Sequence, residues 1–324
     1  MTVTAAFTSD AVREHLLARG LLAARTAVSI DPLAGGVSSD IVAVSGPTVQ
    51  FVVKRALPRL RVSQEWLADD RRIVREGHAL QLAGRLAPGA VPKVLDLDEE
   101  TRTLVLERAP LTWRNWRDDL LEGRVDAAVA DGLGRALACW HTGTSASPPV
   151  ELADSEVFVQ LRIDPFYRTV AARYPQLADR IDAAADALLT KRKCLVHGDF
   201  SPKNVLHGDG RLWVLDWEVA HIGDPCFDLA HLLSHLLLKA VHRRADERRY
   251  RSAAESFLHA YGESGRAVDG DDLLANIGCL LLARVDGKSP APYLTEAEQI
   301  RVRALAFRLF SDPPSAALDV WEAL

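Results

Sequence analysis

The sequence predicts an α+β protein of two lobes, a small strand-rich one over about residues 1–108 and a larger helical one over 109–324. Three observations carry this. Apolar, β-branched runs separated by turn residues recur between 28 and 106. Beyond Pro110 the apolar spacing is almost entirely helical. One stretch, 194–217, interrupts the helices with two short apolar runs that flank a polar loop.

Ser9 or Asp10 is placed to cap a first helix running to about Ala24. From Val28 to Ala56 the pattern reads strand, glycine turn at Gly35-Gly36, strand, strand. A helix from about Ser63 to Leu86 follows and is stopped by Pro88-Gly89. Val91–Leu97 and Thr103–Leu106 form two more strands around the polar turn Asp98-Glu99-Glu100. Helices are then expected near 125–142, 153–173, 175–191, 226–242, 246–262, 270–285 and 295–310.

Composition excludes several classes. A net charge of −5 argues against a nucleic-acid partner, because such binding rests on neutralising phosphates. The four cysteines form no C-x-x-C pair, so neither a zinc site nor a disulfide framework is expected, and a reducing cytoplasm fits. No basic segment followed by an apolar run opens the chain, so no signal peptide is expected. The longest apolar stretch, Leu229–Ala240, is broken by His231, Ser234, His235 and Lys239, which argues against a membrane span.

The most informative segment is Leu195-Val196-His197-Gly198-Asp199-Phe200-Ser201-Pro202-Lys203-Asn204. An apolar strand delivers a His-Gly-Asp turn, and an asparagine follows five residues after the aspartate. Val214-Leu215-Asp216 then forms a second apolar run ending in a carboxylate. Phosphoryl transfer needs a carboxylate to orient the attacking hydroxyl and hard oxygen ligands to hold Mg²⁺ against the phosphates. Asp199 suits the first task; Asn204 and Asp216 suit the second. The H-x-D-x-x-x-x-N spacing matches the kinase catalytic loop.

The run HGDFSPKN (197–204), followed by LDWEVAHIGDPCFDLA (215–230), resembles the aminoglycoside phosphotransferase and choline kinase superfamily. Those proteins share the protein-kinase fold and carry His-Gly-Asp where protein kinases have His-Arg-Asp. The resemblance implies an ATP-dependent phosphotransferase acting on a small-molecule hydroxyl, with Asp199 as base and Asn204 and Asp216 as Mg²⁺ ligands. Asp228 resembles the buried aspartate that holds the catalytic loop by hydrogen bonds, and His197 shares that structural role. Glu218 stands where protein kinases have the glycine of Asp-Phe-Gly, close to metal-bound water or acceptor. Ser201 occupies the usual lysine position two residues after the base, so either Lys203 supplies that charge or it is merely solvated.

On the nucleotide side, Gly35, Gly36, Ser38 and Ser39 are the candidates for phosphate contact, although they depart from a G-x-G-x-x-G loop. Lys54 ends a strand and resembles the kinase lysine that contacts the phosphates. Its expected partner is Glu76, which shares a helical face with Ile73, Leu80 and Ala83; Glu65 is the second choice. In the hinge-like segment 104–110, the Glu107 carbonyl and Ala109 amide are expected to bond adenine, with Leu106 behind it.

The acceptor is left open among aminoglycosides, amino alcohols, sugars and hydroxy amino acids. The polar turn containing Arg284, Asp286 and Lys288 is one candidate contact, with Glu218 and Lys203. An inactive nucleotide-binding scaffold is the alternative, opposed by the intact set Lys54, Asp199, Asn204 and Asp216. A protein kinase is opposed by the missing Asp-Phe-Gly glycine and Ala-Pro-Glu segment. Oligomeric state is not legible.

Overall fold

The computed structural model describes residues 7–33, 39–57, 69–264 and 270–324. A short helix α1 (Ser9–Ala18) is capped by the Thr8 hydroxyl, one residue before the expected cap. It stops well before Ala24 because Gly20, at φ +67°, turns the chain back and lets Leu21 N–H bond the Leu16 carbonyl.

Five strands follow in an antiparallel sheet: β1 (Ser29–Pro32), β2 (Ser39–Ser45), β3 (Gln50–Ala56), β4 (Val94–Asp98) and β5 (Thr103–Glu107), in the order β1-β2-β3-β5-β4. Its two faces alternate, so Val42, Val44, Val53 and Val105 bury against α1 through Val12 and Leu16. The opposite face receives α2 (Arg72–Leu86), which presents Ile73, Leu80 and Ala83 inward. The helix expected from Ser63 begins at Arg72 within the described residues; Ser63 and Glu65 lie outside them.

The C-terminal lobe opens with β6 (Arg114–Asn115), α3 (Trp116–Leu121) and α4 (Ala127–Ser145). Next come α5 (Glu156–Phe158), a π-helical segment Val159–Arg168, α6 (Thr169–Arg173) and α7 (Ala178–Thr190). Pro165 sits inside the π-segment and has no N–H to give an α-helical bond. Four strands, β7 (Cys194–Val196), β8 (Val205–Gly208), β9 (Arg211–Val214) and β10 (His221–Gly223), carry the motif segment. Four helices close the lobe: α8 (Cys226–His242), α9 (Glu247–Gly262), α10 (Gly270–Asp286) and α11 (Glu296–Ser311). The last starts on a reciprocal Thr295–Glu298 cap. No described helix is long and apolar enough to cross a membrane.

An aromatic knot fixes the motif loops to this scaffold. Trp140 of α4 packs edge-on against Trp217, with ring centroids 4.7 Å apart, and against Phe200 at 6.4 Å. Its indole N–H reaches across to the Ala83 carbonyl of α2 at 3.0 Å. Trp140 and Trp217 are both fully buried, each contributing roughly 5 kcal/mol by apolar area. The residues flanking Asp199 and Asp216 are thereby anchored to both α2 and α4.

Candidate active site

Lys54, near the end of β3, points under the sheet toward α2. Its Nζ lies 2.6 and 2.8 Å from the two oxygens of Glu76 and 3.1 Å from Asp216 Oδ1. Glu76 is fully buried on the inward face of α2, where an unpaired charge would be prohibitive. Burial alone would lower Lys54, but the carboxylates of Glu76 and Asp216 outweigh it and hold the ammonium charged. Burial pushes Glu76 up to about 7 against the pull of Lys54. With both oxygens within 2.8 Å of the ammonium, we read the pair as ionised at neutral pH.

The second half of the site is built by backbone. β7 pairs with β10, and between β7 and the site the chain turns at His197-Gly198-Asp199. Asp228, at the start of α8, accepts the backbone N–H groups of His197 (2.7 Å) and Gly198 (2.9 Å). His141 of α4 lies 3.3 Å from the same carboxylate. The His197 ring accepts the Asp199 N–H at Nδ1 and so donates from Nε2 to the Leu215 carbonyl, which fixes one neutral tautomer. Burial lowers the His197 pKa, in keeping with that form.

Gly198 sits at φ +76°, and a Cβ there would stand 2.7 Å from the Val219 carbonyl oxygen. Gly198→Ala should therefore cost about 2–4 kcal/mol, combining left-handed strain with a clash against backbone. A lowered urea midpoint with unchanged m-value would report it; a wild-type midpoint would contradict this account of the turn.

Asn204 and Asp216 are brought together by a hairpin. Asp209-Gly210, both at positive φ, form the two-residue turn between β8 and β9. The resulting register puts Val205 opposite Val214, and Leu215 N–H then bonds the Asn204 carbonyl at 2.8 Å. The next residue, Asp216, is also left-handed at φ +64°. Burial would raise its carboxyl, but Lys54 and Lys203 more than compensate and keep it ionised.

Asp199 is buried among donors. Arg162 Nη2 lies 2.9 Å from Oδ1, while Lys203 Nζ (2.8 Å) and Asn204 Nδ2 (2.9 Å) approach Oδ2. His231 Nε2 is 3.5 Å from Oδ1. Burial works to raise this carboxyl; the Arg162 and Lys203 charges prevail and hold it well below the usual carboxylate range.

Lys54, Glu76, Lys203, Asn204 and Asp216 all line one cavity of about 560 Å³ between the lobes. Leu106, Glu107 and Ala109 also line it, and Ile41, Val52 and Leu215 give it an apolar slot. Asp199 is not in the lining; it stands just beyond Lys203 and Asn204. Ser39 is buried in β2 and is not among the described lining residues, so it does not have the exposure a phosphate contact needs. Gly35, Gly36 and Ser38 lie outside the described residues.

Three acceptor candidates are corrected. Asp286 is occupied: Arg303 and Tyr174 hydrogen-bond its carboxylate at 2.8 and 2.6 Å, and Arg173 pairs with it at 3.0 Å. Its carboxylate is taken up by these three groups, whereas Arg284, two residues earlier, is near enough to Asp199 for its charge to be felt there. Lys288 is exposed beyond the end of α10. Glu218 is likewise engaged, taking the Nε of fully buried Arg72 at 2.9 Å. It joins α2 to the segment after β9.

The sequence reading missed Arg72, Arg162, His141 and His231. Arg72 was findable, since it lies four residues before Glu76 on the same face. His231 was visible as a polar break in an apolar helix. Arg162 gave no local signal, because its position depends on the π-segment.

The fold and this arrangement define an α+β, protein-kinase-like phosphotransferase scaffold. The sequence matches the phosphotransferase enzyme family over residues 29–269, and the chain belongs to that family. It is 28% identical over 227 residues to a methylthioribose kinase of Geobacillus thermodenitrificans, covering 61% of this chain and 57% of that one. A Bacillus thuringiensis methylthioribose kinase is 27% identical over 233 residues with the same coverage. The chain thus spans just over half the length of these relatives.

Among solved structures, a choline/ethanolamine kinase family protein from Mesorhizobium loti superposes with a TM-score of 0.59 at 19% identity, covering 97% of this chain and 98% of that one. Amicoumacin kinase, solved with AMP-PNP and Ca²⁺, gives 0.59 at 14% identity over 98% of this chain and all of that one.

Proposed function

We propose that this chain transfers the γ-phosphoryl group of ATP to a hydroxyl of a small molecule. One observation supports it above the rest. Lys54, Asn204 and Asp216 face a single interlobe cavity, and Asp199 stands 2.9 Å from Asn204 on its far side.

In this reading the apolar slot takes adenine, with the Glu107 carbonyl and Ala109 amide at its edge. Lys54, held charged by Glu76, positions the phosphates. Asn204 spends its Nδ2 on Asp199, which leaves Oδ1 for a cation. Two hard oxygen donors, Asn204 Oδ1 and Asp216, suit Mg²⁺ and would hold it beside the phosphates. Bound there, Mg²⁺ would neutralise charge on the phosphates.

Asp199 accepts the hydrogen bond of the attacking hydroxyl. A carboxylate held this acidic is a weak base, so its contribution is orientation, with the proton arriving late in a loose transition state. Lys203 spans the two sides, lining the cavity and pairing with Asp199.

ATP consumption should be measured over aminoglycosides, amino alcohols, sugars including methylthioribose, and hydroxy amino acids. Nucleotide titrations test the cavity without turnover. Mg²⁺ should tighten ATP binding to the wild type about tenfold or more, and Asp216→Asn should abolish that difference. Equal metal dependence in both proteins would sink the assignment of Asp216.

A further inference from the structure

Beyond Asp199, on the side away from the nucleotide cavity, a row of polar groups runs down α8. His231, His235 and Lys239 recur every four residues on one face, all buried in the C-terminal lobe. The His231 and His235 rings lie 5.1 Å apart. Lys239 reaches back one turn to the His235 carbonyl at 3.4 Å and stands 5.5 Å from the Tyr293 ring centre. Arg284, from α10, is close enough for its charge to bear on Asp199, His231, His235 and Lys239.

These groups are under-partnered. Arg284 Nη1 bonds the Ser289 carbonyl and hydroxyl, but its Nε, like His231 Nδ1 and Tyr293 Oη, is buried with no hydrogen-bond partner among the described residues. Lys239, 1% exposed, has no carboxylate within reach in the described structure, and the charges bearing on it are the cations Arg284 and Arg117. The carboxylate whose charge bears on Arg284 is Asp199, which Arg162, Lys203 and Asn204 already hold. Arg117 is matched by Asp118. A buried ammonium without a counter-charge is costly, so burial pulls Lys239 down to about 7, and an anionic ligand beside it would restore its charge.

We propose that the acceptor is a small hydroxy compound carrying an oxyanion, carboxylate or phosphate, which Lys239 and Arg284 bind while Asp199 holds its hydroxyl. The inference rests on the phosphotransferase reading above and narrows it. His235 and Tyr293 supply neutral hydrogen bonds to the same anion. Lys239 reaches back toward His231, so hydroxyl and anion are separated by one to two helical turns, on the order of 5–10 Å. That span fits a short hydroxy acid or sugar phosphate. Cationic acceptors such as amino alcohols and aminoglycosides would meet the Arg284 charge and push Lys239 further toward its neutral form.

Each acceptor should be tested beside its uncharged twin: glycerate with its amide, glycerol 3-phosphate with glycerol, and an amino alcohol as the cationic arm. The anion of a pair should be phosphorylated with a kcat/KM at least about 100-fold above its neutral partner, and the better of carboxylate and phosphate identifies the source. Lys239→Met, which keeps the volume, should raise the KM for that anion about tenfold or more and leave the KM for ATP within about twofold. Thermal shifts with glycerate and glycerol 3-phosphate provide a reading without turnover. Both anions should raise the Tm of the wild type and not that of Lys239→Met. Equal shifts in the two proteins, or turnover confined to neutral or cationic acceptors, overturn the anionic assignment while the phosphotransferase reading stands. Anion binding lost in Lys239→Met without ATP consumption for any acceptor would instead count against that reading.

Discussion

Asp199→Asn should lower kcat by about three orders of magnitude, with the KM for ATP nearly unchanged. The substitution keeps size and shape and removes the one charge that two cations and a histidine surround. An amide at this position can no longer take the hydroxyl proton, and its NH₂ group meets donors where the carboxylate met acceptor-seeking hydrogens. General-base and orienting groups typically contribute 10²–10⁴ in rate. The nucleotide is expected to be indifferent, because Asp199 does not line the cavity that Lys54, Asn204 and Asp216 share. Fold should survive, since Arg162 keeps its bond to the Gly198 carbonyl at 2.7 Å and Asn204 keeps its bond to the backbone carbonyl of residue 199. Steady-state kinetics on an identified acceptor decide it: a kcat within tenfold of wild type removes Asp199 from the chemistry.

Why the sequence revealed this half of the site and not what lies behind it is a matter of range. His197, Asp199, Asn204, Asp216 and Asp228 fall within 32 consecutive residues, and their geometry follows from local strands and turns. The Lys54–Glu76 pairing was accessible because one buried carboxylate on a helical face demands a partner, and the preceding strand offers a single lysine. The hairpin at β8 and β9 was missed although Asp209-Gly210 is a strong two-residue turn signal; the adjoining residues 205–208 are too few to show alternation. The Asp286 error has a similar origin. Arg284 and Asp286 are neighbours in sequence but two residues apart on a helix, so they point to different surroundings. Arg162 and Arg72 draw their roles from contacts 36 and 146 residues away, which no local pattern encodes. The polar residues of α8 were used only to exclude a membrane span, yet their four-residue spacing was already evidence that they share one face.

The buried histidines, two of them in that row, also make stability depend on pH in a defined direction. Burial lowers His197 and His235, pushes His221 down to about 4 and His231 down to about 3. A histidine whose folded pKa lies below its unfolded value near 6.5 binds its proton more readily in the unfolded chain. Its contribution is complete above pH 6.5 and is lost as pH falls from there toward the folded value. Between pH 7 and 5 His221 and His231 each remove about 2 kcal/mol, and His197 and His235 act in the same direction. Glu76 acts oppositely: burial raises it against the pull of Lys54, so it takes up its proton in the folded state first and offsets part of this loss. The depressed carboxylates Asp199, Asp216 and Asp228 stay ionised throughout and contribute only in stronger acid. The balance is a loss of the order of 5 kcal/mol. At about 2–4 °C per kcal/mol for a large domain, Tm at pH 5 should fall about 10 °C or more below that at pH 7. His231→Asn or His235→Asn should each flatten the slope, because removing one titrating imidazole removes its proton uptake on unfolding. A Tm that is level or higher at pH 5 would mean that these imidazoles are solvated or already protonated in the folded protein, and that the row along α8 is not the dry, cation-lined face described above.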